Sequence, residues 1–360
     1  MKSSNNIKKT LRRILPLELQ RQLITWLRIT QAISRRPRGY RNFLLSTMSQ
    51  MIGSTRAHGL PVSITIEPTN ICNLRCPVCE TGANILERKP QMMTYEAFVK
   101  IIDKVGPAAN HVMLYYMGEP FLNKEAYRMI RYARDMGLYV MTCTNGDMVD
   151  PESLYESGIN LVSFQIGGVT QETHAIYRVN SNLARVMGNL SKYLQIIRLR
   201  GRKPLENIVE LGLIVMRHNE PEIEEFLKMA RKVGVDRINT ISPCVRTPQQ
   251  GRDLLPQSDE YWIYERDRFE REGALLPKKS FPKNSCPWLH CSITVQVDGN
   301  VVPCCRDPHG RHVVGNLLEQ SLEDVWNGPK LREFRQAVLS QQGDTDICQL
   351  CPGEGWSRLF

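Results

Sequence analysis

Beginning at Val62, short runs rich in β-branched residues alternate with longer stretches whose apolar positions recur at helical spacing. The strand-like runs cover 62–67, 111–116, 138–142, 161–166, 208–215 and 237–241. Between them, helical periodicity covers 94–105, 124–136, 151–157, 183–199 and 222–233. Strands separated by helices of this length build a parallel sheet with crossover helices. Six such units fall short of the eight that close a barrel, so the expected fold is α/β, a partial (β/α)6 barrel open on one side.

The pattern changes on either side of this block. Residues 246–285 lose periodicity and gather Pro, Gln, Arg and Asp, which predicts a bridging segment with one helix near 259–271. Beyond it, apolar runs at 293–297 and 301–303 flank Asp298-Gly299, a hairpin signal, and short helical patterns follow at 321–326 and 330–340. Residues 286–360 therefore read as a small C-terminal α+β domain. Residues 1–60 read as a helical N-terminal extension ahead of a barrel spanning 61–245.

Charge divides the chain at the same place. Residues 1–60 carry twelve Lys or Arg and one acid, Glu18, whereas the remainder carries 35 basic against 36 acidic residues, so the net charge of +10 belongs to the extension. Within it, Leu19, Leu23, Trp26, Leu27 and Ile33 fall at roughly helical spacing, with Arg21, Arg28 and Arg35 on another face. Such a helix suits peripheral contact with an anionic membrane surface, or packing on the barrel or on a partner. Its longest apolar run, Leu23 to Leu27, is far below the ~20 residues that span a bilayer. Without an aromatic-interleaved basic groove, a nucleic-acid partner is not expected. Eleven cysteines, odd in number and unevenly spread with no secretory signal before them, point to reduced metal-binding thiols in a cytoplasmic protein, peripheral at most on the inner membrane face.

The cysteines form two blocks. Cys72, Cys76 and Cys79 follow the first strand as C-x3-C-x2-C, on the face where barrel enzymes place their sites. Three thiolates can hold three irons of a [4Fe-4S] cube and leave the fourth open. A zinc site instead prefers four closed ligands, commonly from paired C-x2-C units. Far downstream, Cys286, Cys304, Cys348 and Cys351 supply four more thiols, enough to close a cube or a zinc knuckle. Cys305 and Cys291 compete for places in that set; strand alternation sends adjacent side chains to opposite faces, so Cys304 and Cys305 are alternatives rather than partners. Cys143 and Cys244 remain unassigned. His174, His218, His290, His309 and His312 show no metal-selecting spacing and are expected at the surface or behind the site. Tyr115, Tyr116, Glu210 and Arg246 are candidates to line the barrel.

With these residues in view, the chain resembles the radical S-adenosylmethionine (SAM) superfamily. Met117-Gly118-Glu119-Pro120 resembles its Gly-Gly-Glu-Pro element, Thr144-Asn145-Gly146 its Thr-Asn-Gly, and Ser163 with Gln165 its polar fourth-strand positions. Arg178 resembles the arginine that meets the cofactor carboxylate, and Asn219 the asparagine that approaches adenosine. Val78 and Met117 depart from the usual aromatic and glycine. The C-terminal block, with Cys286-Pro287-Trp288, Gly315-Asn316 and Val325-Trp326-Asn327, resembles the one-cluster Twitch form of the SPASM domain.

The resemblance implies a [4Fe-4S] cluster on Cys72, Cys76 and Cys79 that binds S-adenosylmethionine and cleaves it to a 5′-deoxyadenosyl radical. Gly118, Glu119, Asn145, Ser163, Gln165, Arg178 and Asn219 would contact that cofactor. It implies a second, auxiliary [4Fe-4S] cluster on Cys286, Cys304, Cys348 and Cys351, and a low-potential electron donor such as flavodoxin or ferredoxin. The expected reaction is oxidation of a carbinol in a sugar-like or lipid-linked small molecule. Peptide modification, epimerisation with Cys244 as hydrogen donor, and a non-enzymatic iron–sulfur scaffold are the alternatives.

Overall fold

The structure is a computed structural model that describes residues 37–353 apart from residues 204, 280 and 281. The helix expected within 16–34 lies outside the described residues. Helix α1 (Pro37–Met51) leads into β1 (Ser63–Ile66), after which strand and helix alternate. The order is α2 (Tyr95–Val105), β2 (His111–Met113), α3 (Ala126–Asp135), β3 (Tyr139–Thr144), α4 (Pro151–Glu156) and β4 (Leu161–Ile166). It continues through α5 (Gln171–Tyr177), α6 (Leu183–Arg200), β5 (Ile208–Ile214), α7 (Ile223–Val233) and β6 (Arg237–Ile241).

All the expected barrel elements form, and the caps show why some helices start where they do. The Thr94 hydroxyl accepts the Ala97 N–H, and Asn182 accepts that of Arg185, each satisfying a first-turn donor. Helix α5 was not expected. Only His174 and Tyr177 of its seven residues are buried, so no apolar period announces it; reciprocal bonds between Thr170 and Thr173 hold its start.

Three further strands, β7 (Ser292–Val295), β8 (Asn300–Val302) and β9 (Gly315–Asn316), complete a sheet in the order β6-β5-β4-β3-β2-β1-β7-β8-β9. Strands β1 to β7 pair in parallel and the last two pairings are antiparallel, so the sheet runs from β6 to β9 without closing. The hairpin of the C-terminal region therefore extends the barrel's own sheet. Its first strand reads Ser-Ile-Thr-Val and lies against the Ser-Ile-Thr-Ile of β1, pairing Ser63 with Ser292 through to Ile66 with Val295. The reason is polar satisfaction: β1 is buried along its whole length, and its backbone needs a partner on both edges.

Alternation along the strands separates two faces. Ile64, Val112, Phe164 and Leu211 turn outward and are fully buried with Phe98, Met129, Val186 and Phe226 of the helices. Thr65, Ser163, Gln165 and Glu210 occupy the alternate, inner positions. The barrel thus keeps a polar interior behind an apolar shell.

The bridge differs from expectation. Two short helices, Pro248–Leu254 and Arg266–Glu272, replace the single one at 259–271. Between them Trp262, Ile263 and Tyr264 turn inward with Val245, Leu255 and Phe269 to form a small core of their own, which interrupts any continuous helix.

Candidate active site

Beyond the C-terminal end of β1, the chain turns so that Cys72, Cys76 and Cys79 lie close to one another. The Cys79 N–H donates to the Cys76 carbonyl at 3.2 Å, and the Leu74 N–H donates to Cys72 Sγ at 3.4 Å. Gly82 closes the loop tightly: a Cβ there would stand 2.6 Å from the Cys76 backbone. Burial pushes the Cys72 thiol up to about 12, and Cys79 upward as well, Cys72 also feeling Cys76 and Cys79 and Cys79 feeling Cys76. Such thiols keep their protons unless cationic metal replaces them. The Cys76 side chain is buried with Leu74, Val78, Tyr177 and Met216, so Val78 supplies apolar packing where an aromatic was the usual residue.

Below this loop lies a carboxylate and guanidinium pair. Glu119 is buried and accepts from the Asn145 N–H and the Thr144 hydroxyl, both at 2.7 Å, and from the Phe121 N–H at 3.3 Å. Despite those donors, burial raises its carboxyl to about 7. Gly118 makes this approach feasible: at φ +78° a Cβ would lie 2.5 Å from the Thr69 carbonyl and 2.7 Å from that of Ile71. Asn145 donates to Asn73 at 2.9 Å, within the cysteine loop. Arg178 points Nη1 at Cys76 Sγ, 3.8 Å away, while its buried Nε has no described partner. Carboxylate and guanidinium are within electrostatic reach of each other, an arrangement complementary to an amino acid's ammonium and carboxylate.

Farther round the barrel, Gln165 donates to the Ser163 hydroxyl, which donates to Glu210, both at 2.7 Å; Asn239 reaches Glu210 at 3.4 Å. Gln165 lies over Gly212, where a Cβ would meet its amide at 2.3 Å, and its buried Oε1 has no described partner. These orphaned polar atoms and the three-thiol loop suit a cluster with a polar ligand. Asn219 is different. Its Oδ1 accepts the Met216 N–H, and its Nδ2 donates to the Gly167 and Ile214 carbonyls, so the amide expected at adenosine is engaged with backbone and holds the loop after β5.

The second thiol set draws on three separate segments. Cys286 is within electrostatic reach of Cys351 and Cys305, Cys304 of Cys286 and Cys351, and Cys348 of Cys286 and Cys351. Lys279 donates to the Cys348 and Cys351 carbonyls at 2.7 Å, fixing the C-x2-C turn. Cys291 is buried and turns its thiol to the Pro287 carbonyl at 3.0 Å. Both Cys304 and Cys305 remain beside the set.

Cys244 bridges the two blocks. Arg306 Nη1 donates to its Sγ at 2.9 Å and the Tyr264 hydroxyl at 3.7 Å. Tyr177 feels Cys76, Cys79 and Cys244, and Arg306 feels Cys244, Cys305 and Cys351. Arg246 pairs with Glu80 at 2.7 Å in the same region.

Sequence reading missed the link between cysteine loop and hairpin. Fully buried Glu67 accepts two bonds from Arg88 at 2.7 Å and one from the Val297 N–H at 2.9 Å, and Arg88 Nε donates to the Pro308 carbonyl. A carboxylate ending an apolar strand was the only signal. The histidines are mostly occupied with backbone or carboxylates: His174 accepts the Gly167 N–H at 3.1 Å, His290 bonds the Ser54 carbonyl, and His312 meets Asp346 at 2.6 Å. His174 and His290 are buried, and His174 lies behind the fourth-strand loop that it holds through Gly167.

An open α/β barrel with three thiols at its mouth and a second thiol set on an extension of its sheet is the architecture of an iron–sulfur enzyme. The chain belongs to the radical SAM superfamily, whose family profile matches residues 66–246; an iron–sulfur cluster-binding (SPASM) domain profile matches residues 286–352. It is therefore an enzyme that uses a [4Fe-4S] cluster and S-adenosylmethionine, with further iron–sulfur in its C-terminal domain. The chain is 26% identical over 297 residues to the tungsten-containing aldehyde ferredoxin oxidoreductase cofactor-modifying protein of Pyrococcus furiosus, covering 75% of this chain and 82% of that protein. It is 24% identical over 339 residues to the AdoMet-dependent heme synthase of Methanosarcina barkeri, covering 84% and 93%. Among solved structures, Streptococcus suis SuiB bound to S-adenosylmethionine shares the fold, with TM-score 0.60, 15% identity and coverage of 83% and 74%.

Proposed function

We propose that this enzyme oxidises a carbinol of a cofactor-sized, sugar-like or lipid-linked small molecule. The observation that supports this reading is the setting of Cys244, whose Sγ accepts from Arg306 Nη1 at 2.9 Å, with Arg306 in electrostatic reach of Cys305 and Cys351 and Tyr177 in reach of Cys76, Cys79 and Cys244. Two of the curated relatives, the cofactor-modifying protein and the heme synthase, are also named for small cofactors. When bound at Cys72, Cys76 and Cys79, the cluster and S-adenosylmethionine would supply the means of removing a hydrogen atom from the carbinol carbon, and an auxiliary [4Fe-4S] cluster on the C-terminal thiols would supply the acceptor for the remaining electron. The hydroxyl proton leaves to water and the C=O bond forms, so the substrate loses two electrons and two protons. A flavodoxin- or ferredoxin-type donor primes the first cluster.

In this reading Cys72, Cys76 and Cys79 hold the first cluster. Gly118 admits the cofactor's amino end beside Glu119, Arg178 meets its carboxylate, and Asn145, Ser163 and Gln165 face its nucleoside. Cys286, Cys304, Cys348 and Cys351 hold the auxiliary cluster. The thiol of Cys244, flanked by Tyr264 and Arg306, favours epimerisation as the second reading.

The test is a 5′-deoxyadenosine release screen over sugars, lipid-linked alcohols and peptides. A product two mass units lighter than substrate is expected. With Cys348→Ala/Cys351→Ala, iron content should fall by about half while 5′-deoxyadenosine release persists and oxidised product is lost. A product of unchanged mass carrying solvent deuterium, abolished by Cys244→Ala, would establish epimerisation instead; turnover only with peptides would overturn the small-molecule reading.

A further inference from the structure

Helix α1 is built with its polarity reversed. Its inward side carries small polar residues: Ser46 and Ser49 are 1% and 0% exposed, Asn42 donates to the Ala108 carbonyl at 3.3 Å, and Ser49 meets His58 Nδ1 at 2.9 Å. Gly59 lets the chain press against this side, since a Cβ there would lie 2.3 Å from the Asn42 carbonyl and 2.8 Å from Ser46 Oγ. Its outward side carries Tyr40, Leu44 and Met48, four residues apart, and continues through Met51 and Ile52, which are 81% and 63% exposed. A surface helix ordinarily does the opposite. Arg41 stands exposed beside the stripe, and the sequence before α1, residues 1–36, holds nine basic residues against one acid.

We infer that α1 is a docking face for an anionic lipid surface, its apolar stripe entering the headgroup boundary with Arg41 beside it. Charge selects this occupant: residues 1–60 hold the chain's whole positive excess, while the rest is near neutral. Apolar insertion and attraction of basic residues to anionic lipid act together on such helices.

The placement has a consequence for the reaction. Helix α1 packs on the segments entering the N-terminal ends of β1 and β2, through Leu60 and Ala108. Cys72 to Cys79 leave the opposite, C-terminal end of β1. A molecule docked through α1 holds its mouth away from the bilayer. Docking thus places the enzyme at the surface without feeding lipid into the barrel, and it stands independently of which substrate is oxidised.

Flotation of the full-length holoenzyme with phosphatidylglycerol/phosphatidylcholine vesicles, against pure phosphatidylcholine, tests this. Binding to the anionic vesicles is expected, weakened by salt, and reduced at least about tenfold by Leu44→Glu/Met48→Glu. Equal iron content and 5′-deoxyadenosine release by the variant establish that it folds. Absence of flotation by the wild type, or equal flotation of a folded variant, would overturn the inference. So would a wild-type dimer that floats with neither vesicle and that the variant dissociates, because the stripe would then cover a second copy of the chain.

Discussion

Glu119 shows how far a single side chain is altered by its position. Its ordinary value is 4.5, and burial carries it to about 7 in the folded protein. A raised carboxyl favours folding while it stays protonated, so that contribution is complete below about 4.5 and is lost as pH rises through about 7. In protein freed of cluster and cofactor, Glu119→Gln should therefore gain up to about 3 kcal/mol on the wild type between pH 4.5 and 8, measured by denaturant titration at each pH. A cofactor ammonium beside Glu119 should suppress the difference, and titration calorimetry in buffers of different ionisation enthalpy should register proton release when S-adenosylmethionine binds near pH 7. Gly118 is the neighbouring constraint. Gly118→Ala combines an unfavourable φ with three backbone collisions and should lower cofactor affinity and iron retention together. The three cysteines were legible as candidates because close spacing along the loop after β1 brings them together, and Gly118 with Glu119 because they are adjacent after β2; that these two loops meet is decided by the parallel pairing of the strands. Asn219 was legible as a residue and not as a role, since its amide partners come from two strands.

Among elements, the clasp between cysteine loop and hairpin is the contact most sensitive to a single change. Glu67 is fully buried and Arg88 supplies its paired bonds. Removing one partner of such a pair leaves a charge in a dry setting, so Arg88→Ala should cost about 3–5 kcal/mol in chemical denaturation. Hydrogen exchange should rise in 304–312 before it rises in β4 or β5. The Glu87 and Arg311 pair across the same loops is exposed and should matter far less. Strands and most helices could be read from the chain because period and caps are local. Helix α5 could not, since its capping box lies beside a stretch with no apolar face, and the bridge's two helices depend on an inward turn at Trp262 that no period encodes.

For the molecule as a whole, Arg335 ties the ends together. It is fully buried, donates to the carbonyls of Leu289, Thr55 and Trp326 at 2.9–3.1 Å, and stacks 4.3 Å over the Trp326 ring. Trp326 in turn donates to Gly59, so the entry to β1, the approach to β7 and the C-terminal helices share one buried cation. Arg335→Leu should cost about 3 kcal/mol or more by stranding three carbonyls, and should loosen both thiol sets, read as iron lost on gel filtration. By itself the sequence determined the βα alternation, the incomplete strand count, the open three-thiol loop and the segregation of charge into the first 60 residues, because each depends on neighbours a few positions apart. The tertiary structure alone decided that β7 lies on β1, that Arg88 satisfies Glu67, that Cys244 stands between the thiol sets and that α1 turns its apolar side outward. Those relations join residues tens to hundreds of positions apart, where burial and the need to satisfy buried polar groups choose the partner and local pattern carries no record of it.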